Sequence, residues 1–152
     1  MKRSHVITAI CLLASAACVK DGDDPEYVGI ARVGDAVPAF EVTLSDGTPF
    51  VSPRDFLGRE TDVVFFSTTC PDCQVYLRRL QEEWDGSTDL LCISRAESAA
   101  DVAAYWEAEG LTLPYAAVPD RSVYNLFARS GIPRLYTISP SGVISRQLVI
   151  SN

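Results

Sequence analysis

The sequence predicts an α/β fold in which helices flank a mixed central sheet. Short apolar runs typical of buried strands, at 63–67 and 90–94, are each followed by a segment with helical spacing. Near the C-terminus, two strand-like segments are separated only by the turn 139–142, which indicates an antiparallel hairpin. The alternation favours parallel strands, and the hairpin at the sheet edge makes the sheet mixed.

The individual elements follow from local patterns. Phe40, Val42 and Leu44 alternate with polar neighbours and lead into the turn residues Asp46 and Gly47, which predicts an N-terminal hairpin. In chain order we predict a hairpin over 40–51, a helical turn over 53–57, a strand over 63–67, a helix to about 84, a strand over 90–94, a helix over 98–109, a short strand over 115–118, a short helix over 123–129 and a hairpin over 135–150.

A Cys-x-x-Cys pair, Cys70 and Cys73, comes directly after the first buried strand. The apolar residues Leu77, Leu80 and Trp84 follow Cys73 at spacings of four, three and four. This spacing places Cys73 on the inward stripe of a helix whose first turn contains the pair.

That position sets the chemistry of the pair. A helix N-terminus carries partial positive charge and unpaired N–H groups, which favour a thiolate placed there. Pro71 suits this first turn, because its missing N–H would have no partner there. We therefore expect Cys70 to be the exposed nucleophile, and Cys73 to attack the mixed disulfide and release the partner.

Other uses of the pair have less support. A zinc site would need a second pair or downstream histidines, yet the only histidine, His5, precedes the folded region. Gln74 follows the pair where haem attachment requires histidine. A purely structural disulfide is the simple alternative. We expect no metal and no cofactor.

The N-terminus is predicted to be a secretory signal. Lys2, Arg3 and His5 precede an apolar run over 6–13, which is too short to span a bilayer. The small residues that follow, and then Cys18, resemble the lipobox of bacterial lipoproteins, in which the cysteine is lipidated. An ordinary cleaved signal is the alternative.

We expect three segments: a signal peptide over 1–17, a lipid-attachment cysteine with an acidic tether over 18–33, and one domain over 34–152. The tether contains glycine and lacks periodicity, as solvated linkers do. An acidic segment behind a lipidated cysteine also resembles the surface-export signal of Bacteroidetes lipoproteins. The expected location is the cell envelope, with the domain lipid-anchored and facing the periplasm or the cell surface.

The charge of the chain limits its partners. Removing the signal lowers the basic count from 13 to 11 against 20 acidic residues, so the net charge falls from −7 to about −9. Such a surface binds nucleic acid and anionic lipid headgroups poorly. We therefore expect no nucleic-acid partner, and membrane contact only through the lipid anchor.

Several features occur together along the chain: Gly34, Pro38 and Phe40 at the entry, Asp46 and Gly47 in the first turn, the motif 70–73 after its strand, Asp120, the triplet 131–133, and the turn residues Ser141 and Gly142. With these features the chain resembles the TlpA/ResA branch of thioredoxin-fold proteins, the cell-envelope thiol-disulfide oxidoreductases. The resemblance covers about 34–147 and implies a thioredoxin-like fold.

The resemblance also assigns roles around the pair. It implies that Pro133 is cis and packs beside the cysteines, and that Ile132 offers its backbone to the substrate chain. Thr69, Pro71 and Asp72, next to the nucleophile, would complete the substrate-binding surface.

Three residues depart from the pattern of this branch. Thr69 replaces the usual Trp, which makes the lip of the site less apolar. Tyr76 and Val64 stand where relatives carry an acid close to the pair, so Cys73 must lose its proton in some other way. Asp72 is the nearest carboxylate. Two interpretations of it are equally well supported: a base for Cys73, or a solvated residue that favours the start of the helix.

Two further features concern the rest of the chain. No segment after the last hairpin is long enough for the helix that usually closes this fold, so one sheet face could serve as a partner or dimer surface, or be shielded by 19–33. Cys92 lies in the middle of a buried strand, where a cysteine is usually a small hydrophobe.

The expected function is reduction of disulfides in other envelope proteins, with electrons from an upstream membrane thiol donor. The motif contains neither His nor Arg to hold a thiolate, which favours a reducing couple. A peroxiredoxin-like peroxidase, supported by Thr68 and Arg121, stays open, although Ser67 rather than Thr stands three residues before Cys70. A non-catalytic binding module is the other alternative.

Overall fold

The computed structural model describes residues 29–151, and its elements follow the predicted order. The strands are β1 (Phe40–Thr43), β2 (Pro49–Ser52), β3 (Thr61–Phe66), β4 (Asp89–Ser94), β5 (Tyr115–Ala116), β6 (Arg134–Ile138) and β7 (Ile144–Val149). The helices are α1 (Pro71–Glu83), α2 (Ala99–Glu109) and α3 (Tyr124–Phe127), with a 3-10 turn at Arg54–Phe56.

Five strands form one mixed sheet in the order β5-β4-β3-β6-β7. The pairs β3–β4 and β4–β5 are parallel, whereas β3–β6 and β6–β7 are antiparallel. Strands β1 and β2 form a separate antiparallel hairpin. The predicted α/β class, the mixed sheet and the N-terminal hairpin are thus confirmed.

Strand β3 is central because both of its faces are apolar. Val63 and Phe65 point to one face, and Val64 and Phe66 point to the other; all four are fully buried. Alternation of side chains across a strand allows such a run only where layers cover both faces of the sheet. The layers on these two faces differ.

The hairpin, the 3-10 turn and α3 cover the first face. Phe56, Tyr124 and Phe127 are fully buried there. The chain before the hairpin also packs on this side, because Ile30 and Ala31 donate their N–H groups to the Phe127 carbonyl at 2.8 and 3.0 Å. The folded region therefore extends back beyond the expected start near Gly34.

Helices α1 and α2 cover the second face, where Leu77 and Trp106 pack against the sheet. Helix α2 has the ends its sequence predicts. The Ser98 side chain accepts a hydrogen bond from the Asp101 N–H, and Gly110 takes the left-handed conformation with φ of 64°.

No helix follows β7 within residues 29–151. Polar groups of β3, β6 and β7 meet on the sheet face that carries Val64: the Thr137 hydroxyl donates to Asp62 at 2.6 Å, and the Arg146 guanidinium lies 3.9 Å from the same carboxylate. Leu148 is the large apolar side chain exposed on β7. This part of the sheet face is mainly polar, so it needs less cover than an apolar surface would.

The predicted signal peptide, Cys18 and most of the tether lie outside the described residues. In the described part of the chain, no helix is long and apolar enough to cross a membrane.

Candidate active site

The cysteine pair sits where β3 runs into α1. Cys70 is the N-cap residue of α1 and Pro71 occupies its first turn. The Cys70 N–H donates to the Ser67 carbonyl at 3.2 Å, and the Gln74 N–H donates to the Cys70 carbonyl at 3.0 Å. The first thiol therefore stands at the electropositive end of a thirteen-residue helix, as the sequence predicts.

Cys70 is partly exposed, and the loop before β6 lies against it. Its sulfur is 3.9 Å from the carbonyl oxygen of Ile132. The peptide bond between Ile132 and Pro133 is cis, and Pro133 is buried. This is the arrangement that the family resemblance implies for these two residues.

Cys73 is fully buried, one turn further along α1. Both cysteines are free thiols, and Cys70 packs against the buried cluster that contains Cys73. Burial raises the pKa of Cys73 far above its usual value, while the Ser67 N–H and the Arg95 charge act in the opposite direction. Cys73 is thus a protonated thiol, buried beside its partner cysteine.

No carboxylate is among the groups that influence Cys73. Burial, Ser67, Cys70 and Arg95 account for the shift in its pKa. Tyr76 is itself buried, which raises its pKa to about 12 and rules it out as a proton acceptor near neutral pH. Asp72 therefore gains no support as the base.

The predicted substrate-binding residues either flank Cys70 in the chain or belong to the loop whose Ile132 carbonyl lies near its sulfur. Thr69, Pro71 and Asp72 are exposed, whereas Ile132 is partly buried. The Thr69 hydroxyl is 3.0 Å from the Ser67 hydroxyl, which gives the lip of the site the polar character expected from the loss of Trp.

Sequence reasoning missed two residues at this site, Arg95 and Glu97. Both follow β4, the parallel neighbour of β3. The carboxyl ends of parallel strands meet at one sheet edge, so the position of these residues could have been inferred from the predicted sheet. The Glu97 carboxylate accepts hydrogen bonds from the N–H and the hydroxyl of Thr68, two residues before the nucleophile.

A buried arginine beneath the proline loop was also missed. The Arg134 side chain is almost fully buried, and its guanidinium donates to the carbonyl groups of Ser130 at 2.8 Å and Gly131 at 3.3 Å. The Tyr124 hydroxyl donates to the same Gly131 carbonyl at 3.0 Å. An arginine in an otherwise apolar strand was the available signal. These bonds fix the backbone just before Ile132.

Two residues considered for a peroxidase site have other partners. The Thr68 hydroxyl binds Glu97 at 2.5 Å. The Arg121 guanidinium donates to the Arg129 carbonyl at 2.6 Å and lies over the Tyr124 ring. Both side chains are engaged in contacts that do not include Cys70.

Cys92 lies in β4, paired with Val64 and Tyr115. It is fully buried, and burial alone raises its pKa. Within residues 29–151, no cluster of three or more His, Cys, Asp or Glu side chains could hold a metal ion.

The pattern of the AhpC/TSA family matches residues 33–147. Two proteins of Mycobacterium tuberculosis, from the strains CDC 1551 and H37Rv and each described as a candidate peroxiredoxin, are 29% identical to the chain over 122 residues. The match covers 77% of this chain and 76% of each relative.

Solved structures with the same fold include a candidate protein disulfide isomerase of Bacteroides thetaiotaomicron, with a TM-score of 0.74, 23% identity and coverage of 84% of both chains. A thiol:disulfide interchange protein of the thioredoxin family from Chlorobium tepidum has a TM-score of 0.63 and 26% identity, over 81% of this chain and 90% of the other. The thioredoxin-like fold is thus confirmed.

Proposed function

The chain belongs to the AhpC/TSA family, and from this premise we propose that it exchanges disulfides with other proteins of the cell envelope through Cys70 and Cys73. Its enzyme class is that of a thioredoxin-type thiol-disulfide oxidoreductase. One observation carries the proposal: a partly exposed thiol begins a helix and packs against the cluster that buries a second thiol one turn further on.

The reaction has two steps. In the first, the Cys70 thiolate attacks a substrate disulfide, forms a bond to one substrate sulfur and displaces the other, which takes up a proton. In the second, the Cys73 thiolate attacks the Cys70 sulfur and releases the remaining substrate thiol. The substrate gains two electrons and two protons, and the enzyme ends with a disulfide between Cys70 and Cys73. A dithiol donor must then reduce it.

The second step requires Cys73 to lose its proton inside the protein. Burial opposes this loss, and the Ser67 N–H and the Arg95 charge assist it. Because the thiol is buried beside Cys70, the attack needs little movement. The Ser67 N–H and the Arg95 charge stabilise the Cys73 thiolate, and the proton passes to the departing substrate sulfur.

We infer that the couple is reducing. The motif contains neither His nor Arg to hold a thiolate, and burial disfavours the thiolate of Cys73. Burial thus destabilises the ionised form of the reduced protein, and a less stable reduced state gives up electrons more readily.

A redox titration against glutathione or dithiothreitol buffers tests the direction. We expect a midpoint potential closer to that of thioredoxin, about −270 mV, than to that of DsbA, about −120 mV. A value near the DsbA end would show that the protein oxidises its partners.

The envelope location and partners are part of this proposal. The predicted signal and Cys18 support a lipid anchor, and the acidic surface supports protein rather than nucleic-acid partners. The Cys73→Ser variant should retain the mixed disulfide at Cys70. Captured proteins should therefore be disulfide-containing envelope proteins, including the thiol donor, and capture of cytoplasmic proteins in intact cells would contradict the location.

A thiol peroxidase is the second candidate, because the two mycobacterial relatives are described as candidate peroxiredoxins. In that reaction, Cys70 would reduce a peroxide and become a sulfenic acid. Rapid peroxide consumption that survives the Cys73→Ser substitution would favour the peroxidase. Slow consumption by the wild type, with fast disulfide reduction, would favour the oxidoreductase.

A further inference from the structure

We propose that Glu97 is a positioning residue for the nucleophile, because its carboxylate holds the peptide of Thr68 and so fixes the short loop that presents Cys70. The inference rests on the proposed function, in which Cys70 attacks the substrate disulfide. It adds a residue outside the motif to the machinery of that reaction.

The Glu97 carboxylate makes three hydrogen-bond contacts with a single residue, Thr68. The Thr68 N–H points at both Glu97 oxygens, at 2.9 and 3.1 Å, and the Thr68 hydroxyl donates to one of them at 2.5 Å. Hydrogen bonds to a charged acceptor are about twice as strong as neutral ones. The Thr68 peptide is therefore held by one carboxylate that comes from the loop after the neighbouring strand β4.

A second side chain holds the other end of the same residue. The Gln74 side-chain amide donates to the Thr68 carbonyl at 2.7 Å. Gln74 belongs to α1. Glu97 lies in the loop after β4, where its own N–H donates to the Val118 carbonyl at 2.8 Å. We call the side chains of Glu97 and Gln74 the Thr68 clamp.

The clamp acts on a loop of only three residues, 67–69, between β3 and the cysteine that begins α1. The Cys70 N–H is bonded to the Ser67 carbonyl, so a shift of the loop moves the nucleophile with it. Attack on a disulfide requires an in-line approach, and a displacement of about 1 Å can cost on the order of a hundredfold in rate.

Glu97 acts through position rather than as a proton acceptor. The groups that influence Cys73 are its burial, Ser67, Cys70 and Arg95, and Glu97 is not among them. A glutamine at 97 keeps a carbonyl oxygen that can accept both bonds from Thr68, so it should preserve the clamp without the charge.

The test compares three variants of the full domain: Glu97→Ala, Glu97→Gln and, as the matched control, Glu107→Ala on the exposed side of α2. The rate of Cys70 alkylation by iodoacetamide, the midpoint potential and the rate of disulfide reduction are measured beside thermal unfolding. We expect Glu97→Ala to slow alkylation and disulfide reduction by about tenfold and to shift the potential, as the loss of a charge-assisted bond would.

Glu97→Gln should stay within about threefold of the wild type, and Glu107→Ala should match it. Wild-type rates in Glu97→Ala, or equal losses in the alanine and glutamine variants, would overturn the clamp. If Glu97→Ala does not fold, Gln74→Met tests the other half, with a slower rate expected and an unchanged rate contradicting it. A wild type that reduces no disulfide would refute the proposed function, whereas an active wild type matched by Glu97→Ala would refute only the clamp.

Discussion

Cys73 and Cys92 make an informative pair, because both thiols are fully buried on the same side of the sheet and burial raises the pKa of both. They differ in what they touch. Cys73 lies one turn into α1 beside Cys70, whereas Cys92 sits inside β4 with apolar neighbours. Burial alone therefore does not decide whether a thiol takes part in exchange. The deciding factor is whether a second sulfur lies close enough to react.

The contrast has a physical basis. Exchange proceeds by contact of one sulfur with another, so a sealed thiol can react only with a sulfur already beside it. Burial also protects Cys73 from foreign disulfides, which confines it to the resolving step. Cys92 has the same protection and no partner sulfur among its strand neighbours, so we expect it to contribute to packing alone.

The largest expected effect is on turnover. Cys70→Ser should lower disulfide reduction to background, a loss on the order of 10³-fold or more, because nothing replaces the nucleophile. Cys92→Ala should keep turnover within about twofold. Disulfide reduction that survives Cys70→Ser would contradict the role of Cys70, whereas a biological activity that this substitution leaves unchanged would favour a non-catalytic binding module. A large loss in Cys92→Ala would break the contrast between the two buried thiols.

For stability we expect the opposite ranking of the sites: a substitution at Cys92 should cost more free energy of unfolding than one at Cys73. Cys92→Ser places a hydroxyl in an apolar strand environment and should cost about 1–3 kcal/mol in free energy of unfolding. Cys73→Ser should cost less, since the Ser67 N–H is available to the new hydroxyl. Denaturant unfolding of the reduced proteins measures both. A greater loss of unfolding free energy for Cys73→Ser than for Cys92→Ser would contradict this account of the two environments.

A smaller effect concerns alkaline pH. The folded protein keeps Cys92 protonated at a pH where the unfolded chain has begun to ionise, so the stabilisation is complete below about pH 8.5 and declines as pH rises above it. The stability difference between wild type and Cys92→Ala should therefore shrink by about 2 kcal/mol between about pH 7 and about pH 10. A pH-independent difference would show that burial does not hold the proton.

Local pattern was sufficient for most of the fold. The run 63–66, the alternating hairpin residues and the glycines at element ends each reflect short-range physics, so their elements appear where the sequence places them. Two short elements differ in extent. Helix α3 has four residues rather than the expected seven, and β5 has two rather than the expected four, because only two of its residues pair with β4.

Tertiary neighbours were harder to predict. The motif and its inward stripe identified Cys70 and Cys73, but Arg95, Glu97 and Arg134 reach the site from other parts of the chain. Their roles depend on which strands are adjacent and on how loops return. Local pattern likewise could not show the polar cluster on the sheet face at Asp62, because its partners come from β6 and β7.

The central claim is that Cys70 alone meets foreign sulfur. Treating the reduced, folded protein with a limiting amount of a small disulfide or iodoacetamide, and mapping the modified cysteine by mass spectrometry, tests it directly. We expect modification at Cys70 first, at Cys73 only as an internal disulfide with Cys70 or after unfolding, and at Cys92 only after unfolding. First modification at Cys73 or Cys92 in the folded protein would contradict the claim.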